Sequence, residues 1–335
     1  MTLINLPVID FGAYCDPNST AAQRQAVEQA IDKACRHLGI FCLSNHGVPQ
    51  ELCNQMRDLV RQFYRLPLEE KLKHQVPTSQ LRGYLNFGDE YTEGVELRYE
   101  TFGFYPPVNG FSNGLAPDID PASPEARLPT APDALGGQNS WPNDAFRAQV
   151  EEYVEHVVLL KNRVYASIAA SLGISDASRD RFANTIPAVG LNGYQGLTEE
   201  DMAKGGINLP EHEDPGLVTH TNVYCTQDTD SISLQVQNHD GKWYDVKPVP
   251  NTFVVNVGTI LKRWTGGQYH APLHRVIHRS EKPRVSVVVF VDPSFETSVE
   301  PLQEFVPAEE DSAKQAPENY GSFILGLLGG VESKY

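Results

Sequence analysis

The sequence has little positive charge and few cysteines. Its 335 residues include 27 lysines and arginines against 43 aspartates and glutamates, which gives a net charge of −16. A chain with this balance has no broad basic surface, and this argues against binding to nucleic-acid phosphates or to anionic lipid. The five cysteines form no C-x-x-C pair, and their odd number argues against a disulfide framework.

Long apolar runs and an export signal are also missing. The first residues lack the basic start and the apolar run of a signal peptide. Apolar runs elsewhere fall far short of the roughly 20 residues that cross a bilayer. We therefore expect a cytoplasmic protein that binds neither membrane nor nucleic acid. With 40% hydrophobic residues, the chain can bury a large core.

Helical and strand patterns divide the chain into two halves. Apolar residues recur at helical spacing over residues 19–38, 50–66 and 144–172. From Ile186 onward, short strands are separated by Gly, Asn, Asp and Pro, which is typical of an antiparallel barrel or jelly roll. The Pro- and Gly-rich stretch 105–143 predicts a long irregular loop within one fold.

Two histidines and one aspartate have the chemistry of a metal site. His212 and Asp214 are two residues apart, so on an extended strand both side chains would leave the same face. With His274 far downstream, they would supply the two imidazoles and one carboxylate associated with non-haem Fe(II) enzymes that activate oxygen. An H-x-D triplet is common by chance, and a histidine near an acid is more often a surface pair. The surrounding sequence therefore decides between these interpretations.

A second pair of residues predicts an acid-binding site. Arg284 and Ser286 follow His274 by ten and twelve residues, at the start of the β-branched run 285–291. This run predicts a buried strand, on which residues two apart point to the same side. A guanidinium group beside a hydroxyl suits a carboxylate. The order along the chain thus indicates a metal site with an acid-binding site beside it.

The segment around His274, together with the strand that carries Arg284 and Ser286, resembles the isopenicillin N synthase-like branch of the Fe(II)/2-oxoglutarate-dependent dioxygenases. The resemblance spans most of the chain, since other segments match the family as well: Leu6-Pro7-Val8-Ile9-Asp10-Phe11, Asn45-His46-Gly47-Val48-Pro49, Arg82-Gly83-Tyr84 and Asn192-Gly193-Tyr194. It implies a mainly β fold with flanking helices, built on a distorted double-stranded β-helix, or jelly roll. A fold alone does not establish an activity.

The same resemblance implies a division of the chain. Residues 1–175 would form an N-terminal helical region packed on the core, residues 176–300 the jelly-roll core, and residues 301–335 a C-terminal helix or lid. The implied enzyme uses Fe(II), 2-oxoglutarate and O2 to oxidise a C–H bond of a small organic substrate. The outcome would be hydroxylation, desaturation, epoxidation or ring formation, and the expected setting is specialised metabolism.

Residue by residue, the resemblance assigns His212, Asp214 and His274 as the iron ligands. Arg284 and Ser286 match the pair that anchors the distal carboxylate of 2-oxoglutarate in most of the family. Tyr194, with Asn192 beside it, matches residues that line the same pocket. These seven positions form the predicted site.

Three other histidines, His220, His270 and, more weakly, His278, compete for the ligand positions. His220-Thr221-Asn222 resembles the His-Thr-Asp of many relatives, but an amide is a poor substitute for an anionic ligand on Fe(II), which favours His212 and Asp214. For the second histidine, Ala271-Pro272-Leu273-His274-Arg275-Val276 aligns with the family segment that carries the ligand, which favours His274 over His270. Thr259 stands where relatives often have Asp, and this difference is expected to affect a turn and not the iron.

Two other functions are open alternatives. Isopenicillin N synthase keeps Arg-x-Ser but uses it for the carboxylate of its peptide substrate, without 2-oxoglutarate. The Asn192-x-Tyr194 pattern is more typical of 2-oxoglutarate users and favours them. A non-catalytic jelly-roll binding protein is the third hypothesis.

Candidate substrate contacts come from segments that frame the active-site mouth in the family. They are Arg82, Tyr84, Tyr91 and Phe102 in the N-terminal half, Val223 and Tyr224 in an enlarged loop after Asp214, and Phe290 and Phe295 beyond Ser286. For each of them, an ordinary core or rim position is an equally good interpretation.

Overall fold

A computed structural model describes residues 2–75, 82–86, 91–92, 95–96, 98–105, 139–183, 185–214, 226–306 and 318–332. The strands are β1 (Thr2–Ile4), β2 (Val8–Asp10), β3 (Ile40–Ser44), β4 (Gly83–Asn86), β5 (Tyr91–Thr92), β6 (Val95–Glu96), β7 (Tyr99–Phe104), β8 (Thr185–Tyr194), β9 (Leu209–His212), β10 (Thr226–Gln227), β11 (Leu234–Gln237), β12 (Trp243–Val246), β13 (Phe253–Asn256), β14 (His274–Val276) and β15 (Arg284–Pro293).

The helices flank these strands. They are α1 (Gly12–Cys15), α2 (Ala21–His37), α3 (Gln50–Tyr64), α4 (Leu68–Leu72), α5 (Asp144–Leu172), α6 (Asp176–Ala183), α7 (Glu199–Ala203), α8 (Thr259–Trp264) and α9 (Tyr320–Glu332), with a 3-10 turn at Gln303–Phe305. Within the described residues, no helix is both long enough and apolar enough to cross a membrane.

Two five-stranded sheets carry the core. One has the strand order β1-β12-β11-β14-β9 and the other β10-β15-β8-β7-β4, while β13-β3-β2 form a smaller third sheet. Apolar side chains from all three sheets meet in one buried cluster, which includes Val236, Val246, Val254 and Val288. This layout agrees with the expected jelly roll.

The second of these sheets is covered on its outside by helices. Strands β8 and β15 pair antiparallel over ten residues each, from Arg284 opposite Tyr194 to Pro293 opposite Thr185. Val285, Val287, Val289 and Val291 leave one side of β15 and join the main hydrophobic core with α2, α3 and α5. Full burial of each such valine stabilises the fold by about 1.5–3 kcal/mol. We call this side the outer face and the opposite side the inner face.

Helix α5 begins and ends where its sequence signals predict. The Asn143 side chain accepts a hydrogen bond from the Phe146 backbone N–H at 2.9 Å, which caps the first turn. Gly173 ends the helix in the left-handed region, at φ 63°, which a side chain would disfavour. The prediction of a helix over 144–172 is confirmed.

The N-terminal part of the chain contributes strands as well as helices. Strand β1 pairs parallel with β12, and β2 pairs parallel with β3, which in turn pairs with β13. Strands β7 and β4 extend the second five-stranded sheet beyond β8. These pairings tie the first hundred residues into the sheets of the second half, whereas the division at residue 175 stays a prediction.

Candidate active site

His212, Asp214 and His274 come together at the end of one sheet. Strand β9 ends at His212, and β14 begins at His274, directly opposite it in an antiparallel pair. Asp214 lies two residues beyond the end of β9 and not within the strand, but its side chain still turns to the same side. Glu213, between them, turns away and forms an ion pair with Lys262 at 3.1 Å. The expected alternation therefore holds past the strand end.

The three side chains converge on one point. His212 Nε2 lies 3.3 Å from Asp214 Oδ1, and His274 Nε2 lies 3.5 Å from the same oxygen. The two imidazole ring centres are 4.3 Å apart. In the described part of the chain, this trio is the group of histidine, cysteine and acidic residues whose ligand atoms all lie within 4.8 Å of one another.

Main-chain carbonyls set the protonation of both imidazoles. His212 Nδ1 lies 2.8 Å from the Pro210 carbonyl oxygen, and His274 Nδ1 lies 3.1 Å from the Pro272 carbonyl oxygen. Because a carbonyl can only accept, each Nδ1 carries a hydrogen, and in the neutral imidazole Nε2 keeps its lone pair. Both lone pairs therefore face Asp214, which is the tautomer that a metal requires.

Asp214 is held by two neighbours that were not predicted as site residues. Its Oδ2 accepts a hydrogen bond from Asn256 Nδ2 at 3.0 Å, and its backbone oxygen accepts from both the N–H and the hydroxyl of Thr259, at 3.0 and 3.1 Å. The contact from Thr259 orients the main chain of Asp214, while Asn256 orients the carboxylate. No sequence motif signalled Asn256.

The electrostatics differ between the two imidazoles. Burial lowers the pKa of His274, and the nearby Asp214 only partly opposes this shift. Burial also acts to lower the pKa of His212, but the hydrogen bond and the charge of Asp214 together raise it above its usual value. A cation between the three groups would replace the proton that this carboxylate favours on His212.

The four predicted acid-binding residues form a second cluster, which we call the Arg284 cluster, on the inner face of the sheet that contains β8 and β15. Arg284 stands opposite Tyr194 and Ser286 opposite Asn192 in the β15–β8 pair. The Arg284 guanidinium lies over the Tyr194 ring, 4.7 Å from its centre, and the Ser286 hydroxyl is 3.5 Å from the Tyr194 hydroxyl. Thr101 donates to Asn192 Oδ1 at 2.7 Å. Arg284 and Ser286 are 4% and 1% exposed, so the charge lies in a water-poor setting.

A cleft reaches this cluster from the outside. Its volume is about 1280 Å³, and its lining includes Arg284, Tyr194, Arg61 and Asp228. The cleft touches the Arg284 cluster but none of His212, Asp214 and His274. We therefore take the convergence of the three side chains, and not this cleft, as the mark of the chemical centre.

The structure separates the predicted substrate contacts. Tyr84 and Phe102 are fully buried, pair with each other across β4 and β7, and lie in the core on the outer face. The structure therefore does not bring them to the trio, because the sheet lies between. Arg82 lies over the Tyr105 ring, at 4.7 Å, and donates to Asn139 Oδ1 at 2.9 Å.

The remaining predicted contacts occupy different settings. Phe290 is half-buried on the inner face, and Phe295 stacks on Tyr320 with ring centres 6.3 Å apart. Tyr91 belongs to β5, of whose side chains nothing is described. Val223, Tyr224 and the competing His220 lie outside the described residues.

The other competing histidines lie elsewhere. His270 packs its ring against His239, with ring centres 4.6 Å apart. His278 Nδ1 lies 2.8 Å from the Ser233 hydroxyl, and its Nε2 lies 2.7 Å from the Lys282 carbonyl oxygen. Neither takes part in the convergent trio.

Comparison with known proteins identifies the family. Residues 194–293 match the model of the 2OG-Fe(II) oxygenase superfamily, and residues 6–144 match that of the non-haem dioxygenase in morphine synthesis N-terminal region. A homoarginine-6-hydroxylase of Glycine max is 32% identical over 97% of this chain and 96% of its own length. The chain belongs to the 2OG-Fe(II) oxygenase superfamily. A second homoarginine-6-hydroxylase, from Oryza sativa subsp. japonica, is 34% identical over 89% of this chain and 88% of its own length.

Solved structures agree with this assignment at the level of the fold. A full-length Neurospora crassa protein in complex with alpha-KG superposes with a TM-score of 0.77 at 22% identity, over 97% of this oxygenase and 96% of that chain. The rice dioxygenase for auxin oxidation gives a TM-score of 0.68 at 24% identity, over 97% and 96% of the two chains. The expected jelly-roll fold is confirmed.

The family settles the choice between the three hypotheses. The oxygenase is an Fe(II)- and 2-oxoglutarate-dependent enzyme that uses O2 to oxidise a C–H bond of a small organic substrate. The prediction of the cofactors is confirmed, and the two alternatives, an oxidase without 2-oxoglutarate and a non-catalytic binding protein, are set aside. Its site has the composition that this chemistry needs.

Proposed function

We propose that His212, Asp214 and His274 hold the iron of this oxygenase. The observation that carries the proposal is the convergence of two imidazole lone pairs and one carboxylate oxygen on a single point. Two neutral nitrogen donors and one anionic oxygen suit Fe(II) and leave positions open for other ligands. The Pro210 and Pro272 carbonyls accept hydrogen bonds from the two imidazoles, and Asn256 donates one to the carboxylate, which orients all three groups in the way metal sites require.

The Arg284 cluster would bind the distal carboxylate of 2-oxoglutarate. The buried guanidinium supplies the positive charge, and the hydroxyls of Ser286 and Tyr194, which lie side by side, supply hydrogen bonds. Asn192, which accepts a hydrogen bond from the Thr101 hydroxyl, lies opposite Ser286 on the same face. Bound Fe(II), with 2-oxoglutarate and O2, supplies the oxidising chemistry that breaks a substrate C–H bond, while these residues position the reactants and exclude water.

The first substrate to test is homoarginine. Relatives that share 32% and 34% of their residues with this oxygenase over most of their length are named homoarginine-6-hydroxylases. We therefore propose hydroxylation of a small amino-acid-like molecule, as part of specialised metabolism. Incubation with Fe(II), 2-oxoglutarate, O2 and homoarginine should release succinate together with a product one oxygen atom heavier. Succinate release without such a product would exclude homoarginine as a substrate.

A reducing cytoplasm fits this function. Cys15, Cys35, Cys42 and Cys53 are free thiols, and Fe(II) itself requires reducing conditions. Burial raises the pKa of the Cys35 and Cys42 thiols, to about 11 for Cys42, which keeps them protonated and unreactive.

Anaerobic titration with Fe(II) tests the ligand assignment. In the presence of 2-oxoglutarate, iron binding should produce the visible charge-transfer band of the chelate. Loss of an outer hydrogen-bond partner alone weakens metal sites by roughly 10–100-fold, so Asp214→Ala should weaken iron binding by at least about 100-fold.

His220→Ala provides the matched control, because His220-Thr221-Asn222 is the competing motif in the sequence. This variant should bind iron as the wild-type protein does. If His220→Ala abolished the band while Asp214→Ala kept it, the ligand assignment would be wrong.

A further inference from the structure

One carboxylate on the inner face of β15 has no part in the chemistry described above. Side chains at positions 284, 286, 288, 290 and 292 leave the same side of this strand. Asp292 therefore follows Arg284, Ser286 and Phe290 along the inner face. After burial, the negative charge of Asp214 also raises the pKa of Asp292, so the two carboxylates lie near each other. Asp292 thus faces the region of the iron ligands.

The carboxylate of Asp292 is half-buried and only partly satisfied by the residues around it. Its Oδ1 is shielded from solvent and finds no hydrogen-bond partner among the described residues. Burial raises the pKa of Asp292 to about 7, while a hydrogen bond with Tyr320 opposes this shift. A buried carboxylate in this state costs free energy that a partner would recover. Groups of this kind are concentrated at functional sites, where a ligand supplies the partner.

Two tyrosine hydroxyls lie near this carboxylate. Burial and, after it, the nearby charge of Asp292 raise the pKa of both the Tyr105 and the Tyr320 hydroxyl. Phe295 stacks on Tyr320 from behind. A carboxylate with phenol oxygens beside it can accept several N–H hydrogen bonds, which suits a guanidinium or ammonium group.

A cation beside Tyr105 is already engaged elsewhere. Arg82 lies over the Tyr105 ring and donates to Asn139 Oδ1 at 2.9 Å. In the described ranges of the chain, no lysine, arginine or histidine forms an ion pair with Asp292. Within these ranges, the carboxylate is therefore available to a positive group that arrives with a ligand.

We propose that Asp292, with Tyr105 and Tyr320, binds a guanidinium or ammonium group of the substrate and so selects cationic substrates. The proposal rests on the proposed function, because it assigns a residue and a chemical class to the substrate of the same site. Binding of the cation at Asp292 fixes one end of the substrate, while the C–H bond to be oxidised is presented nearer to Asp214. Asp292 acts here in specificity and not in the oxidation itself.

Anaerobic calorimetry on the Fe(II)- and 2-oxoglutarate-loaded protein tests the inference without turnover. The probes are homoarginine, with a guanidinium group, lysine, with an ammonium group, and homocitrulline, a neutral urea isostere of homoarginine. The wild-type protein should bind a cationic probe at least about tenfold more tightly than homocitrulline, because a charged hydrogen bond is worth about 1.5–3 kcal/mol. Comparison of homoarginine with lysine identifies which cation the site prefers.

Asp292→Asn keeps the shape and removes the charge. This variant should bind the preferred cation about 10–100-fold more weakly, while binding of homocitrulline and of 2-oxoglutarate stays within about twofold. Glu296→Gln is the matched control, because Glu296 is exposed in the turn just after β15, and it should behave as the wild type does.

The outcomes separate this inference from the proposed function. The inference is overturned if the wild type binds homocitrulline as tightly as the cations, if neither cation shows saturable binding, or if Asp292→Asn keeps the charge preference. The first two comparisons need no variant, so they hold even if Asp292→Asn does not fold. Loss of the 2-oxoglutarate charge-transfer band in the wild type would instead contradict the proposed function.

Discussion

The two faces of the β8–β15 pair differ in character, although they are formed by alternating residues of the same strands. On the outer face, Val285, Val287, Val289 and Val291 pack into a dry core against the helices. On the inner face, the alternate positions carry Arg284, Ser286 and Asp292 among apolar neighbours. This strand therefore stabilises the fold on one side, and its other side would bind a carboxylate and a cation under the two proposals above.

This difference shows that residues of the core and residues of the candidate site are immediate neighbours along the strand. A strand presents successive side chains to opposite sides, so a shift of one residue would bury Arg284 in the helical core and turn the valines into the site. Ten consecutive pairs with β8 hold the register. Changes on the two faces should therefore alter different measured quantities.

The largest effect is expected on the inner face, for Arg284→Lys. Lysine keeps the charge but loses the planar fork that holds a carboxylate at two points, so the KM for 2-oxoglutarate should rise about 100-fold. The thermal midpoint should change little. Arg263→Lys, at an exposed ion pair with Glu318, is the control and should leave the KM unchanged. An unaltered KM in Arg284→Lys would remove 2-oxoglutarate binding from the inner face.

The next effect is expected on the outer face, for Val287→Ala. Val287 is fully buried, and removal of two methyl-sized groups costs roughly 0.8 kcal/mol each, or about 1.6 kcal/mol of unfolding free energy. Denaturant unfolding measures this loss. The KM for 2-oxoglutarate of the folded variant should stay within about twofold of wild type, and a larger change would break the division between the faces.

The smallest effect concerns Lys161, a lysine buried behind the outer face. Lys161 of α5 is fully buried, donates to the Thr185 hydroxyl at 3.0 Å and lies over the Tyr165 ring. Burial lowers its pKa from 10.5 to about 7. Above pH 7 the unfolded chain still holds a proton that the folded chain has released, so the unfolding free energy rises with pH up to about 10.5.

Lys161→Met removes this titration. Between pH 7 and pH 8, the wild type should gain about 1 kcal/mol of unfolding free energy relative to the variant. Denaturant unfolding of both proteins at the two pH values measures the difference. If the unfolding free energies of the two proteins changed equally with pH, Lys161 would stay charged in the folded protein. Its surroundings would then be more polar than the valines of the outer face indicate.

Local patterns were enough to predict much of this architecture. Helix α5 follows from its apolar spacing and from Gly173, and the side-by-side placement of Arg284 and Ser286 follows from strand alternation. The parallel pairing of β1 with β12 could not be predicted, because it joins segments some 240 residues apart that carry no mutual signal. Pairing over such distances is decided by the whole core.

The site shows the same limit. The trio and the Arg284 cluster followed from ligand chemistry and family resemblance, whereas Asn256 was missed because its contact with Asp214 depends on how two distant strands meet. Asp292 was within reach, since the alternation that relates Arg284 to Ser286 extends to position 292. Tyr84 and Phe102 were expected at the mouth because their segment frames it in relatives, but the side of β4 and β7 that they occupy depends on strand register.

The two proline carbonyls beside the imidazoles have a consequence for mutation. The acceptors that hold His212 and His274 in the metal-binding tautomer belong to the main chain at Pro210 and Pro272. No side-chain substitution can delete a carbonyl. Any sequence that keeps this backbone therefore keeps the same tautomer of both imidazoles. The backbone therefore fixes the hydrogen on each Nδ1, whichever side chains surround the two imidazoles.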